Sequence, residues 1–202
     1  MGNRLYDLYQ EQSTKLEELV KQYSPAGEAS KKMRGAVTAE LFRAEIERYL
    51  VNHKEPYKVS GVNSYIAGAD FEYDLLVVKK DAEPFCNLIY RPEDVVAVVE
   101  SKTNGIYDVQ NDTDNIAKVA NRAKELNPSI TFGYITLSEV VPVRQMSKDV
   151  WGQTQESLDQ KVHGAKVIYA VTLRKGKMIW DKGSDEEFTE FVEYLIDNKK
   201  EV

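Results

Sequence analysis

The sequence predicts an α/β domain with a central mixed β-sheet flanked by helices, and three observations predict it. The run Val95-Val96-Ala97-Val98-Val99 is apolar throughout and mostly β-branched, which reads as a central strand buried on both faces. Ile116, Val119, Ala120, Ala123 and Leu126 then fall at helical spacing and lead to another apolar stretch at 130–137. Strand, helix, strand implies a parallel right-handed crossover, so the sheet is mixed and its middle is covered on both sides. Amphipathic patterns at 33–52 and 188–196 supply further helices.

In chain order, Leu5, Leu8, Tyr9, Leu16, Leu19, Val20 and Tyr23 mark residues 3–23 as an amphipathic helix, stopped by Ser24-Pro25-Ala26-Gly27. This divides the chain into a helical arm, 1–27, and a domain, 28–202. The arm could pack on the domain, form a homodimer interface or engage a protein partner. Phe42, Ile46, Tyr49 and Leu50 give the helix over 33–52 one apolar face. Glu55-Pro56 ends it, and 57–62 alternates as a first strand. Gly68-Ala69-Asp70 turns the chain into the strand Tyr73-Asp74-Leu75-Leu76-Val77-Val78, followed by a polar loop over 79–91. Thr103-Asn104-Gly105 is a turn after the central strand.

Asp108, Gln110, Asp112 and Asp114 invite comparison with a calcium loop, but Thr113 stands where Gly is needed and Val119 where Glu is needed. Asp112 or Asp114 is instead read as an N-cap. The helix ends at Asn127-Pro128. A weak helix lies near 153–162, and strands at 166–173 and 177–181 flank Arg174-Lys175-Gly176 as a hairpin. Ser184 with Glu187 forms a capping box before the closing helix of Phe188, Phe191, Val192, Leu195 and Ile196.

Composition narrows the class. The 202 residues are 42% hydrophobic and 30% charged, enough to build a core. The lone Cys86 excludes an internal disulfide framework and, with no signal peptide at the N-terminus, points to a soluble protein of the reducing cytoplasm. The longest apolar run falls far short of the ~20 residues of a membrane helix. A net charge of −6 leaves phosphate contacts to local patches: Lys31-Lys32-Arg34, Lys79-Lys80 and Arg174-Lys175-Lys177. His53 and His163 have no ligand partner at metal spacing and read as structural.

Against this background three charges are out of place. The central strand ends in Glu100-Ser101-Lys102, where alternation puts Glu100 and Lys102 on one face and Ser101 on the other. Asp74 lies inside the preceding apolar strand, with Glu72 on its face as an accessory acid. An Asp in one strand and Glu-x-Lys closing the next resemble the core motif of the PD-(D/E)xK, or restriction-endonuclease-like, superfamily, with Tyr73 where the name places Pro. The stretch from Gly35 to Phe42 resembles the first core helix of many such nucleases, where a Glu helps hold the metal or its water. Glu40 is assigned to that place, with Glu45, which borders the apolar face, as the alternative.

The resemblance implies a three-layer core and Mg²⁺- or Mn²⁺-dependent cleavage of DNA, less often RNA, as in a restriction or phage-defence enzyme. It implies Asp74, Glu100, the Ser101 main-chain carbonyl and Glu40 as metal ligands. Lys102 would orient the attacking water or stabilise phosphorane-like charge. The competing reading is an inactive nuclease-fold module that binds nucleic acid or a protein.

Overall fold

The structure is a computed structural model that describes residues 11, 14, 15, 18, 28–104, 109–140, 150–162, 164–174, 177–181 and 185–197. The expected N-terminal helix therefore lies mostly outside the described residues, as do His163 and the Ser184 cap. The four described positions in the arm are helical. Helix α1 (Glu28–Asn52) begins earlier than its apolar pattern, because Ala29, Lys31, Lys32 and Met33 are good helix formers.

Among the described residues the strands are β1 (Tyr57–Val59), β2 (Ser64–Ile66), β3 (Glu72–Tyr73), β4 (Leu75–Lys79), β5 (Ile89–Tyr90), β6 (Val95–Asn104), β7 (Thr131–Val140), β8 (Ala165–Arg174) and β9 (Lys177–Asp181). Helices α2 (Val109–Leu126), α3 (Val150–Lys161) and α4 (Asp185–Asp197) complete the order. The main sheet runs β1-β4-β6-β7-β8-β9. Its β6–β7 and β7–β8 pairs are parallel, and its β1–β4, β4–β6 and β8–β9 pairs are antiparallel. The sheet is mixed, as expected, with the β8–β9 hairpin at one edge.

Two apolar layers enclose it. On one side Phe42, Ile46 and Leu50 of α1 and Phe191, Val192 and Leu195 of α4 pack on Leu75, Val77, Ala97, Val99 and Ile135. On the other, Ile116, Ala120 and Ala123 of α2 and Leu158 of α3 pack on Leu76, Val98, Phe132 and Tyr134. This is why 95–99 carries no polar residue: alternate side chains enter different cores. A bulge interrupts the alternation, since Val77 pairs with Ala97 but Val78 with Val95, leaving Val96 as the extra residue.

Four expectations are corrected. The strand expected over 73–78 is broken at Asp74: β3 leaves the main sheet and joins β2 and β5 in a small sheet ordered β3-β2-β5. Asp74 and Glu72 therefore do not share a strand face. The strands β2 and β5 are too short to show a period in sequence. Thr103 and Asn104 continue β6, with Asn104 paired to Ser138, so they form no turn. Helix α2 starts at Val109, which places Asp112 and Asp114 inside it and not at its N-cap; Asp114 instead pairs with Lys161 of α3 at 2.8 Å.

Close packing of α4 on the sheet leads to a stability prediction. A Cβ added to Gly133 would lie 2.7 Å from Phe191 Cζ and 2.8 Å from Leu195 Cδ2. Gly133→Ala is expected to destabilise the fold by about 1–3 kcal/mol, the usual cost of overpacking. Urea unfolding monitored by far-ultraviolet circular dichroism measures it.

Candidate functional site

The site lies where the main sheet and the small sheet part. β4 and β6 pair up to Leu75 and Val99, so the next step of that ladder would set Asp74 opposite Glu100. The chain instead turns away into β3, where Asn63 N–H donates to the Asp74 carbonyl at 3.1 Å. That departure takes the backbone partner from the next part of β6. The Asp74 side chain takes its place: Oδ2 accepts from Ser101 N–H at 2.8 Å and from Ser101 Oγ at 3.2 Å. A buried N–H needs such an acceptor.

Lys102 stands between the two acids. Its Nζ donates to Glu100 Oε1 and lies 3.9 Å from Asp74 Oδ2. Glu100 is largely covered, while Lys102 is about half exposed. Burial, and then the negative charge of Asp74, push the Glu100 carboxyl above its ordinary range; the charge and hydrogen bond of Lys102 oppose them. Two carboxylates thus share a site in which neither water nor a single ammonium fully compensates them.

Asp74, Glu100, Ser101 and Lys102 are therefore neighbours, whereas neither helix acid joins them. Both carboxylate oxygens of Glu40 accept from Arg43, at 2.7 and 2.8 Å, and its side chain is exposed. It lies off the face of α1 that Phe42, Ile46 and Leu50 bury in the core. Glu45 is buried, but it is ion-paired with Arg48 and lines a small cavity with Phe188 and Thr189 of α4. Glu72 is exposed and accepts from Tyr65 Oη at 2.8 Å. His53 caps the end of α1 through a 2.9 Å contact from Nδ1 to the Tyr49 carbonyl, and its ring stacks on Tyr49.

Sequence reasoning missed the Ser101 N–H and hydroxyl as partners of Asp74. Strict alternation turns Ser101 away from the acids. The contact exists because Asp74 has left the strand, and no residue type in 73–78 announces that break.

Among the described residues no three of His, Cys, Asp and Glu converge on one cation position. The donor set still fits a hard divalent cation. Mg²⁺ is held through one or two carboxylates and keeps several waters, and Asp74 and Glu100 present oxygen donors to a common place now bridged by an ammonium.

Fold and site together define a mixed α/β chain whose central sheet is flanked by helices and carries two acids and a lysine beside its central strand. No protein-family model matches the chain, and no curated protein sequence matches it. Solved structures do share its fold. NucC of P. aeruginosa ATCC27853, in its cAAA-bound form, aligns with a TM-score of 0.55 and 13% identity, covering 96% of this chain and 88% of that one. NucC of E. coli MS115-1, also cAAA-bound, gives 0.56 and 12%, covering 98% and 89%. At such identity the likeness is one of fold.

The two acids are expected to respond oppositely to neutralisation in metal-free protein. Asp74→Ala leaves the Ser101 N–H without its acceptor and should cost about 1–3 kcal/mol. Glu100→Gln should stabilise the fold at neutral pH. A carboxyl raised in the folded state binds more protons there than in the unfolded chain, so stability falls as pH rises through the interval between the two values. The gain from Glu100→Gln should therefore shrink as pH drops from the raised value toward the ordinary carboxyl range, below which the group is protonated in both states. Thermal unfolding of both variants with EDTA across pH 4–8 (a range spanning roughly the carboxyl values) checks the signs.

Proposed function

We propose that this chain is a metal-dependent nuclease that hydrolyses phosphodiester bonds of DNA, of the kind used in restriction or phage defence. The observation that carries the reading is the convergence of Asp74, Glu100 and Lys102 where β4 stops pairing with β6, just past a run buried on both faces. A binding module gains nothing from holding Glu100 where burial and Asp74 both oppose its charge. The fold shared with the NucC structures supports a place in the PD-(D/E)xK superfamily.

Asp74 and Glu100 would hold Mg²⁺ or Mn²⁺, with the Ser101 main-chain carbonyl as a further donor. When bound, that cation supplies Lewis-acid stabilisation of the phosphate and activation of water. Ser101 N–H fixes one Asp74 oxygen and leaves Oδ1 free of that bond for the cation. Lys102, released from Glu100, positions the water that attacks phosphorus or stabilises the charge gathering on the phosphoryl oxygens. As the water oxygen bonds to phosphorus its proton passes to solvent, the phosphorus–oxygen bond to the leaving sugar breaks, and the leaving oxygen takes up a proton from solvent. Glu40 would take the helix-acid place only after releasing Arg43. The arm over 1–27 is proposed as the surface for a second copy or a protein partner.

Supercoiled plasmid, single-stranded DNA and RNA, each with Mg²⁺ or EDTA, test the activity; cleavage of DNA with Mg²⁺ alone is expected. Glu100→Ala should lose both cleavage and metal binding. Lys102→Ala should lose cleavage by two orders of magnitude or more, on the order of a general acid–base contribution, yet bind Mn²⁺ as well or better in calorimetric titration. The reason is repulsion: two unit charges 4 Å apart interact by about 4 kcal/mol at an effective dielectric of 20, an upper figure for a half-exposed group. Cleavage by Lys102→Ala at the unmodified rate would remove Lys102 from the mechanism.

A further inference from the structure

Ser101 interrupts an apolar layer. From Ala97 to Lys102, β6 pairs residue for residue with 131–136 of β7, so its side chains alternate without a break. Ala97 and Val99 enter the layer covered by α1 and α4, as does Ile135, the β7 partner of Ser101. Ser101 is the next residue on that face and is only 6% exposed. A hydroxyl so placed costs free energy unless it is hydrogen-bonded, and alanine or valine would fill the position without that demand. The bond it makes is to Asp74, where Oγ donates to Oδ2 at 3.2 Å.

Asp74 Oδ2 is thus engaged from two directions. Ser101 N–H donates to it along the line of the lost β4–β6 ladder at 2.8 Å, and the hydroxyl reaches it from the side of α1 and α4. Lys102 stands on the other face, 3.9 Å from the same oxygen, with its ammonium donating to Glu100. Two donors on one oxygen fix the rotation of the carboxylate. They leave Oδ1 as the oxygen open to a cation.

We propose that the Ser101 hydroxyl is a positioning group for the metal, which by holding Oδ2 makes Asp74 a single-oxygen ligand and favours Mg²⁺ and Mn²⁺ over Ca²⁺. The inference rests on the metal-dependent reading above and adds to it a residue and an ion preference. Mg²⁺ demands near-octahedral geometry with few carboxylate oxygens, whereas Ca²⁺ takes more oxygens and accepts a carboxylate through both of its own. A carboxylate with one oxygen committed to two donors suits the first ion and withholds an oxygen from the second. Groups that hold a ligating carboxylate are typically worth ten- to a hundredfold in metal affinity. The hydroxyl, the longer of the two donors here, belongs at the lower end of that range.

Calorimetric titration of the full chain with Mn²⁺ and, separately, with Ca²⁺ tests this. Ser101→Ala, Ser101→Cys and Ser101→Thr all keep the main-chain N–H and carbonyl. Ser101→Ala should raise the Kd for Mn²⁺ about tenfold, while the Kd for Ca²⁺ falls or stays within about threefold. Ser101→Cys, close in size with only a weak donor, should do the same, and it carries the test if the alanine variant fails to fold. Ser101→Thr retains the hydroxyl and should restore the preference for Mn²⁺. A merely structural serine would shift thermal unfolding in EDTA and leave the ratio of the two Kd values unmoved. An unchanged ratio in Ser101→Ala and Ser101→Cys, or an equal loss of both ions, would overturn the proposal. Loss of the preference in a folded Ser101→Thr would assign the effect to packing and overturn it as well. If the unsubstituted protein binds Mn²⁺ but cleaves no nucleic acid, the nuclease reading fails while the Kd ratios still decide the role of Ser101. If it binds neither ion, the metal reading fails, and the positioning role with it.

Discussion

The structure turns on keeping two carboxylates close together where β4 stops pairing with a central strand whose apolar run is buried on both faces. Glu100 is held largely out of water, its side chain 15% exposed, just past the point where β4 stops pairing with β6. Asp74 cannot move off without leaving Ser101 N–H unpaired. Like charges brought together in poorly hydrated surroundings raise each other's cost of ionisation, and in this chain a single ammonium, Lys102, partly offsets that cost. A divalent cation would offset it more completely. The electrostatics of the resting site and its proposed chemistry are therefore one problem.

The break at Asp74 connects that site to the rest of the fold. One residue ends the small sheet and begins the main one. Its carbonyl completes the first through Asn63 and its carboxylate completes the second through Ser101. The small sheet sets β3 and β2 beside Asp74 with β5 beyond them, and α1 with α4 covers one face of the main sheet while α2 with α3 covers the other.

Much of this was legible in sequence because burial leaves strong traces. The apolar run at 95–99 and the helical spacing from Ile116 to Leu126 established β6, α2 and the parallel return, and charges interrupting such runs drew notice to Asp74, Glu100 and Lys102. What was illegible lacks periodicity. Strands of two or three residues, such as β2, β3 and β5, carry no pattern to count, so the second sheet went unseen and Asp74 was read as lying within a strand. Helix α1 carries several acids off its buried face, and nothing in their spacing says that Glu40 is engaged by Arg43 and Glu45 by Arg48.

The claim on which the rest depends is that Asp74 and Glu100 share one divalent cation. Anomalous diffraction from crystals of the full chain soaked in Mn²⁺ tests it most directly. The account predicts one anomalous peak in contact with a carboxylate oxygen of each residue, at about 2.0–2.3 Å, with the Lys102 ammonium displaced from Glu100. Saturating Mn²⁺ with no peak between the two carboxylates, and Lys102 still bound to Glu100, would contradict it.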